Sequence, residues 1–314
     1  MAADTMTVET DGVPNGDEST TPRKRRKLPW HLLVFLAPAV IIYSLFMVYP
    51  LLDSMRLSLF SPVGGVETFV GFDNFTRLLQ DSVLSSRFWN AVGNNLLFFV
   101  IHFVIQNPIG LLLAALLATP KLRGLAAYRT LIFLPTTLSV VIVGFIWQLI
   151  LSPLWGIVDT PLLGLSSTAL ITLALMSVWQ YIGIPMMLFY AVIISIPEDL
   201  VEAARVDGAT GWQIFWRIKF PLLLPTVGMV SVVTWVANMN AFDLIYAVQG
   251  ALAGPNFSSD IMGTFFFRTF FGFQLQRGSP TMGATVATLM FLLILGGVLL
   301  YFFGWQRRVK TYEL

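Results

Sequence analysis

The sequence predicts an all-α polytopic membrane protein with six spanning helices, and three observations carry that prediction. Its 314 residues are 56% hydrophobic and only 11% charged, against about 25% charged in a typical soluble domain. The apolar residues gather into six runs, each long enough to cross a hydrocarbon core that needs about 20 residues. The charges that remain fall between those runs and not inside them. Lipid offers no partner to a free backbone group, so runs of this length read as helices rather than barrel strands.

Residues 1–22 are polar, carry five acids and no Lys or Arg, and show no periodic apolar pattern. With the basic run Arg23 to Lys27 they make a first region, 1–27, expected to be a disordered cytoplasmic tail. Twin arginines and Ala37-Pro38-Ala39 superficially suggest a cleaved export signal. The apolar run continues to Leu52, however, and about 25 residues is a spanning helix rather than a signal core. The remaining spans are expected at about 96–118, 130–151, 168–196, 220–242 and 281–306, with kinks at Pro38, Pro108, Pro135, Pro185 and Pro225. The membrane domain is thus 28–306, followed by a short tail, 307–314.

Orientation follows from the basic residues. With the amino terminus inside, fourteen of the 19 Lys and Arg lie in inner segments and five in outer ones. The positive-inside rule then places both termini in the cytoplasm. It also places there the segment between spans four and five. That segment holds four acids, Glu198, Asp199, Glu202 and Asp207, within ten residues. Ser195 with Glu198 reads as a capping box, Pro197 fits a first helical turn, and Gly208 is a helix stop. Thr210 with Gln213 repeats the capping box, and Pro221 is expected to end the second helix. The prediction is helix, glycine turn, helix.

Several chemistries are excluded or disfavoured. There is no cysteine, hence no disulfide, thiolate metal site or thiol nucleophile. No GxxxxGK followed by Ser or Thr occurs, so any nucleotide is bound elsewhere. The two histidines, His31 and His102, lie in separate runs without a carboxylate, so neither a metal site nor a catalytic set is expected. His102 reads as a hydrogen-bonding residue facing the helix bundle. A net charge of +2 gives no reason to expect nucleic acid.

Polar groups within spans mark either helix contacts or a wet path. Trp235, Asn238, Asn240, Phe242, Asp243 and Tyr246 around span five, with Trp179 and Gln180 in span four, are the candidate path for a hydroxyl-rich solute. Trp235, Asn238, Phe242 and Tyr246 step by three, four and four, as on one helical face. Asp243 stands at the outer rim. Span four also offers Tyr181, and span two adds Gln106 and Asn107. Outer loops at about 53–92 and 249–280 are long enough to receive a partner.

Glu202-Ala203-Ala204, three residues, Gly208, nine residues, Ile218, one residue, then Phe220-Pro221 resembles the EAA loop of ABC importer permeases. The departure is Phe220 where Leu is usual. Tyr49-Pro50, the run Gly71 to Phe75, Phe133-Leu134-Pro135, the run Phe242 to Tyr246, and Gly254-Pro255 are similar to carbohydrate permeases of the maltose and glycerol-phosphate type. The resemblance implies a type I importer permease fold in a bacterial or archaeal cytoplasmic membrane, and a transport subunit rather than an enzyme. It implies a coupling loop, 197–221, docked on a cytoplasmic ATPase through Glu202, Ala203, Ala204, Asp207, Gly208, Trp212 and Phe215. The implied partners are a second homologous permease, two ATPase subunits that bind ATP and Mg, an extracytoplasmic solute-binding protein, a sugar and membrane lipid. No cofactor is implied in this chain. The alternatives are a permease for a non-sugar solute, a membrane enzyme and a secondary transporter. An anionic cargo calls for basic residues in the spans, an enzyme for clustered acids or histidines, and many secondary transporters for internal repeats.

Overall fold

The architecture is set by how the chain handles proline inside lipid-crossing helices. The computed structural model describes residues 30–119, 123–155, 157–274 and 276–307. The tail expected at 1–27, Lys121 and the last seven residues lie outside these. The chain divides after Pro50 into two compact units. The first holds α1 (Trp30–Tyr43), a wide π-helical turn (Ser44–Val48) and the start of α2 (Tyr49–Leu57).

After the rest of α2, the second unit continues into a hairpin, β1 (Phe60–Val63) and β2 (Val66–Phe69), paired antiparallel with Phe60 opposite Phe69. Helix α3 (Asp73–Gln80) follows, and then α4 (Ser82–Ile101). The hairpin and α3 are structure that the hydropathy pattern alone does not announce. Span two also begins about fourteen residues earlier than the apolar run suggested. Asp81 is the reason: its side chain accepts from the amides of Val83 and Leu84, capping a helix whose first turns are polar. The span then passes through a wide turn, His102–Gln106, into α5 (Asn107–Leu117).

Three wide turns have one cause. Each is followed by a residue and then proline: Tyr49-Pro50, Asn107-Pro108 and Phe220-Pro221. Proline has no N–H, and its ring presses on the carbonyl four residues back. In each case the residue before proline donates instead to the carbonyl five back, Tyr49 to Ser44, Asn107 to His102 and Phe220 to Phe215. The helix widens for one turn and continues.

Span three is α6 (Leu125–Thr137) and α7 (Val140–Ile150), meeting at 96°; span four is α8 (Ala169–Tyr181) and α9 (Gly183–Ser195), meeting at 42°. Four helices of the described residues are long and apolar enough to cross a membrane, and six result if each bent pair is one span. The two breaks support one another. Gln180 donates through Nε2 to the Leu138 carbonyl at the first break (3.2 Å), and Thr136 donates to the Gln180 carbonyl at the second (2.9 Å).

Next come α10 (Glu198–Val206), α11 (Gly211–Ile214), a third wide turn (Phe215–Lys219) and α12 (Phe220–Met239). Pro221 does not end the second helix, as its sequence suggested. The widened turn absorbs it, and α11 runs directly into α12. After a break at 240–242 come α13 (Asp243–Gln249), α14 (Met262–Phe271) and a two-residue ribbon, β3 (Gly272–Phe273) with β4 (Gln276–Arg277). Helix α15 (Pro280–Leu300) and a last wide turn (Tyr301–Gln306) complete the described residues.

Packing joins these helices in three apolar clusters. One holds Phe98, Leu173, Met176 and Ile245, a second Leu78, Phe88, Phe265 and Val286, and the third Ala114, Met186, Phe189 and Leu223. Small residues set the closest approaches, as expected of helices in lipid. A Cβ on Gly110 would meet Pro185 and Met186 at 3.0–3.1 Å, and one on Gly297 would overlap the Trp235 indole. Trp235 donates from that site to the Ile294 carbonyl (3.1 Å), so α12 and α15 are locked by one bulky side chain in one gap.

Replacing Gly297 with Leu therefore forces the indole out of its slot. Overpacking of this kind costs about 1–3 kcal/mol, and thermal unfolding of the detergent-solubilised protein is expected to shift down by several degrees. An unchanged midpoint would contradict the packing.

Candidate functional site

Two regions gather the residues singled out above. The first is the helix pair α10–α11. Its own small core is Val201, Ala204 and Ile214, with Ala209 and Ile218 against it. Gly208 turns the chain at φ 78°, a conformation in which a Cβ is strained. The capping box at Thr210 forms in full: the Gln213 amide N–H bonds to the Thr210 hydroxyl, and the Thr210 amide donates to Gln213 Oε1 at 2.8 Å. The box expected at Ser195 does not form. The Ser195 hydroxyl donates to the Val192 carbonyl, and Pro197 caps α10 with no side-chain bond.

The face of this pair differs in one respect from the expected one. Ala203 and Asp207 are exposed, but Ala204 is buried against α11 and holds the pair together. Glu202 and Arg205 are both exposed, and no ion pair joins them. Trp212 is 72% exposed and stacks edge-on with Trp216 at 5.5 Å; Phe215 is half-buried against Trp216 and Phe220. The result is a negatively charged rim beside an exposed aromatic ladder.

The second region is a cavity of about 340 Å³ among α4, α8, α9, α12 and α13. Four of the eight predicted path residues line it: Asn238, Asn240, Phe242 and Asp243. The other four do not. Trp235 faces α15. Gln180 is fully buried at the break of span three, and Trp179 packs edge-on against Trp147. Tyr246 stacks on Phe242 at 5.0 Å and on Phe267. The expectation of a single face fails because α12 stops at Met239 and Phe242 leaves helical geometry (φ −153°), so the three-and-four spacing does not run through.

The wall also contains His102, Gln106, Ser177, Tyr181 and Thr234. Of these, the sequence marked His102 and Gln106 in span two and Tyr181 in span four. His102 lies as expected: Nδ1 donates to the Phe98 carbonyl (2.8 Å) and Nε2 is 3.0 Å from the Ser177 hydroxyl. A carbonyl only accepts, so the proton sits on Nδ1 and Ser177 donates to Nε2. Thr234 is joined to Asn107, whose Nδ2 donates to its hydroxyl at 3.1 Å. Among the described residues no Lys or Arg lines the cavity, and Asp243 is its single acid.

Beyond the cavity the segment 257–262 is held by polar side chains of α4. Asn95 donates to the Asn238 carbonyl and accepts from the Met262 amide, at 2.8 and 2.7 Å. Asn90 and Asn94 donate to the carbonyls of Phe257, Ser258 and Asp260. Arg268, counted from the sequence as an outer-loop charge, is fully buried and paired with Asp260. Burial raises the Asp260 carboxyl above its ordinary value, against the pull of Arg268 and Thr264.

A cavity inside crossing helices whose described wall holds one acid and no Lys or Arg, with a charged helix pair outside it, is the anatomy of a membrane transport component. A family model described as "Binding-protein-dependent transport system inner membrane component" matches residues 106–309. The chain is 30% identical over 286 residues to the lactose transport system permease protein LacF of Rhizobium radiobacter, covering 88% of this chain and 94% of that one. It is 29% identical over 282 residues to the alpha-glucoside transport system permease protein AglF of Rhizobium meliloti, covering 85% and 79%. Among solved structures, a bacterial ABC transporter involved in the import of the acidic polysaccharide alginate superposes with a TM-score of 0.73. That match covers 90% of this chain and 96% of the other, at 23% identity. The chain belongs to the family of binding-protein-dependent transport system inner membrane components. It is an ABC permease, an integral inner-membrane transport subunit without enzymatic activity of its own.

Burial separates the two alanines of the motif. Ala204→Glu is expected to destabilise the solubilised protein by about 2 kcal/mol or more, because it buries a charge without a partner. Ala203→Glu is expected to stay within about 0.5 kcal/mol, as exposed substitutions usually do. Equal losses in parallel melting curves would remove the distinction.

Proposed function

We propose that this chain forms half of the translocation path of an ATP-driven, binding-protein-dependent importer of a neutral sugar or oligosaccharide. The observation that carries the reading is the cavity wall. It offers amides, hydroxyls and the Phe242 and Tyr181 rings and, among the described residues, no Lys or Arg. An acidic cargo would enter it without a counter-charge, whereas a neutral polyol finds hydrogen-bond partners and aromatic surface. The similarity to LacF and AglF, named for lactose and alpha-glucoside transport, agrees with a neutral saccharide.

The partners in this reading are a second, related permease, two ATPase subunits that bind ATP and Mg, an extracytoplasmic binding protein and the surrounding lipid. Both termini lie in the cytoplasm. The α10–α11 pair is the docking element, with Glu202, Ala203, Asp207 and Gly208 at the ATPase surface. Trp212 and Phe215 insert beside them. Ala204 and Ile214 keep the pair rigid. Closure of the ATPases pushes this pair, and α12, continuous with α11, carries the push as a rigid lever. At 1.5 Å per residue, Thr234 to Asn240 lie about 20–30 Å along α12 from Phe220. A tilt at the helix pair thus moves one wall of the cavity and opens the path to the other side.

Gly208→Val forces a β-branched side chain into φ 78°, which costs about 1–2 kcal/mol locally and tilts α10 against α11. The variant is expected to insert and assemble but to lose most binding-protein-stimulated ATPase activity in proteoliposomes. Stimulation equal to wild type would sink the lever reading. Uptake by the assembled wild-type complex from a panel of neutral and acidic saccharides tests the cargo: neutral sugars are expected to enter, and entry of acidic ones alone would contradict the proposal.

A further inference from the structure

Three polar side chains meet at the wide turn of span two, and the amide oxygen of one of them has no hydrogen-bond partner. His102 and Asn107 flank the turn and are both engaged, His102 with Phe98 and Ser177, Asn107 with Thr234. These bonds tie span two to spans four and five. Gln106, between them, is 94% buried and lines the cavity, and its Oε1 has no hydrogen-bond partner. No other cavity-lining side chain among the described residues is buried with an unmatched oxygen or nitrogen. A buried amide oxygen left unmatched costs about as much as a lost hydrogen bond. It persists where a ligand or a helix contact supplies the partner, and the neighbouring helix contacts are already made by the residues on either side.

The backbone explains why Gln106 is there. In an unbroken α-helix, consecutive residues are turned by about 100°, and a side chain directly before Asn107 would swing away from Asn107's face. The π-turn forced by Pro108 widens the helix by one residue, and His102, Gln106 and Asn107 are all at most 8% exposed. Wide turns of this kind recur at functional sites. Opposite lies α12, with Asn238 inside it and Asn240 just past its end, both partly engaged. Asn238 donates to the Thr234 carbonyl and Asn240 to the Val236 carbonyl, both acceptors on α12.

We propose that Gln106 is a specificity-determining residue of the transport path, its side-chain amide taking a hydroxyl of a neutral saccharide as it passes through the cavity. The inference rests on the sugar reading above and adds to it a residue from span two. The hydroxyl donates to Oε1. Gln106 makes no covalent step and carries no charge, so a neutral donor satisfies it where a carboxylate would not.

The test uses the complete complex, with its second permease, ATPases and binding protein, in proteoliposomes. Uptake of radiolabelled lactose, maltose and their monodeoxy analogues is compared between wild type and Gln106→Leu. Because each sugar is expressed as a ratio of variant to wild type, its affinity for the binding protein cancels. The expected result is a loss of about ten-fold for the parent sugar, the size of one buried hydrogen bond. For the one analogue that lacks the bonded hydroxyl, uptake is unchanged by the substitution. A site built to bond a hydroxyl discriminates in this way. Gln106→Glu, which keeps an acceptor, is expected to recover part of the parent sugar's uptake. If Gln106→Leu fails to assemble, Gln106→Met and Gln106→Glu are run through the same comparison. Equal losses for parent and every analogue mean a packing role and overturn the inference, as does uptake unchanged for all. A wild-type complex that carries none of these sugars overturns the sugar reading first, and the inference with it.

Discussion

Every interruption of a spanning helix leaves a carbonyl that lipid cannot satisfy, and the fold depends on neighbouring side chains that supply the missing donor. An unmatched backbone group in hydrocarbon costs several kcal/mol, more than the roughly 1 kcal/mol that an interhelical hydrogen bond ordinarily yields. The breaks are therefore where polar residues have to be. Gln180 bonds the Leu138 carbonyl, Thr136 the Gln180 carbonyl, Asn95 the Asn238 carbonyl and Gln148 the Val248 carbonyl. Each bond joins two spans. The same requirement that closes the backbone thus fixes which helices neighbour one another.

Proline chooses a different solution at Pro108 and Pro221. There the helix widens by one turn and stays intact, which has two consequences. On span two the widened turn buries His102 and Gln106 at the cavity wall. At the start of α12 it leaves a continuous helix from the α10–α11 pair to the cavity. A full break at Pro221 would have placed a hinge there, and a push on the helix pair would dissipate in it. The gap at Gly297, filled by Trp235, then joins α12 to α15, so the lever proposed above is at least two helices thick. Rigid at one end and polar at the other, α12 connects the two regions in which the functional residues lie.

Much of this was legible in the sequence, and the reasons for what was not are physical. Hydropathy located the spans because lipid imposes length and composition. The spacing from Glu202 to Pro221 identified the helix pair, and Gly208 and the Thr210–Gln213 box took the conformations their chemistry favours. The site was half legible. Asn238, Asn240, Phe242 and Asp243 were found by their polarity or their place near the rim, but polarity does not distinguish a residue facing a cavity from one bonding a broken helix. Gln180 is the second kind. Trp235 and Tyr246 were placed by assuming that α12 runs to residue 246, and its end at Met239 breaks that periodicity. Ala204 and Ala203 are chemically identical, and only the position of α11 decides which one is inside. Ser177 and Thr234 carried no signal, since a hydroxyl in a spanning helix ordinarily bonds its own backbone.

The central claim is that ATP-driven movement of the α10–α11 pair changes the side from which the cavity is reached. The absence of cysteine allows a direct measurement with Ala237→Cys, a substitution at the cavity wall. The assembled complex in proteoliposomes is treated with a membrane-impermeant maleimide from each side, with and without ATP and vanadate. Labelling from the ATPase side is predicted to fall several-fold in the trapped state while labelling from the opposite side rises. Labelling that stays the same from both sides, in a complex that still hydrolyses ATP, would contradict the account.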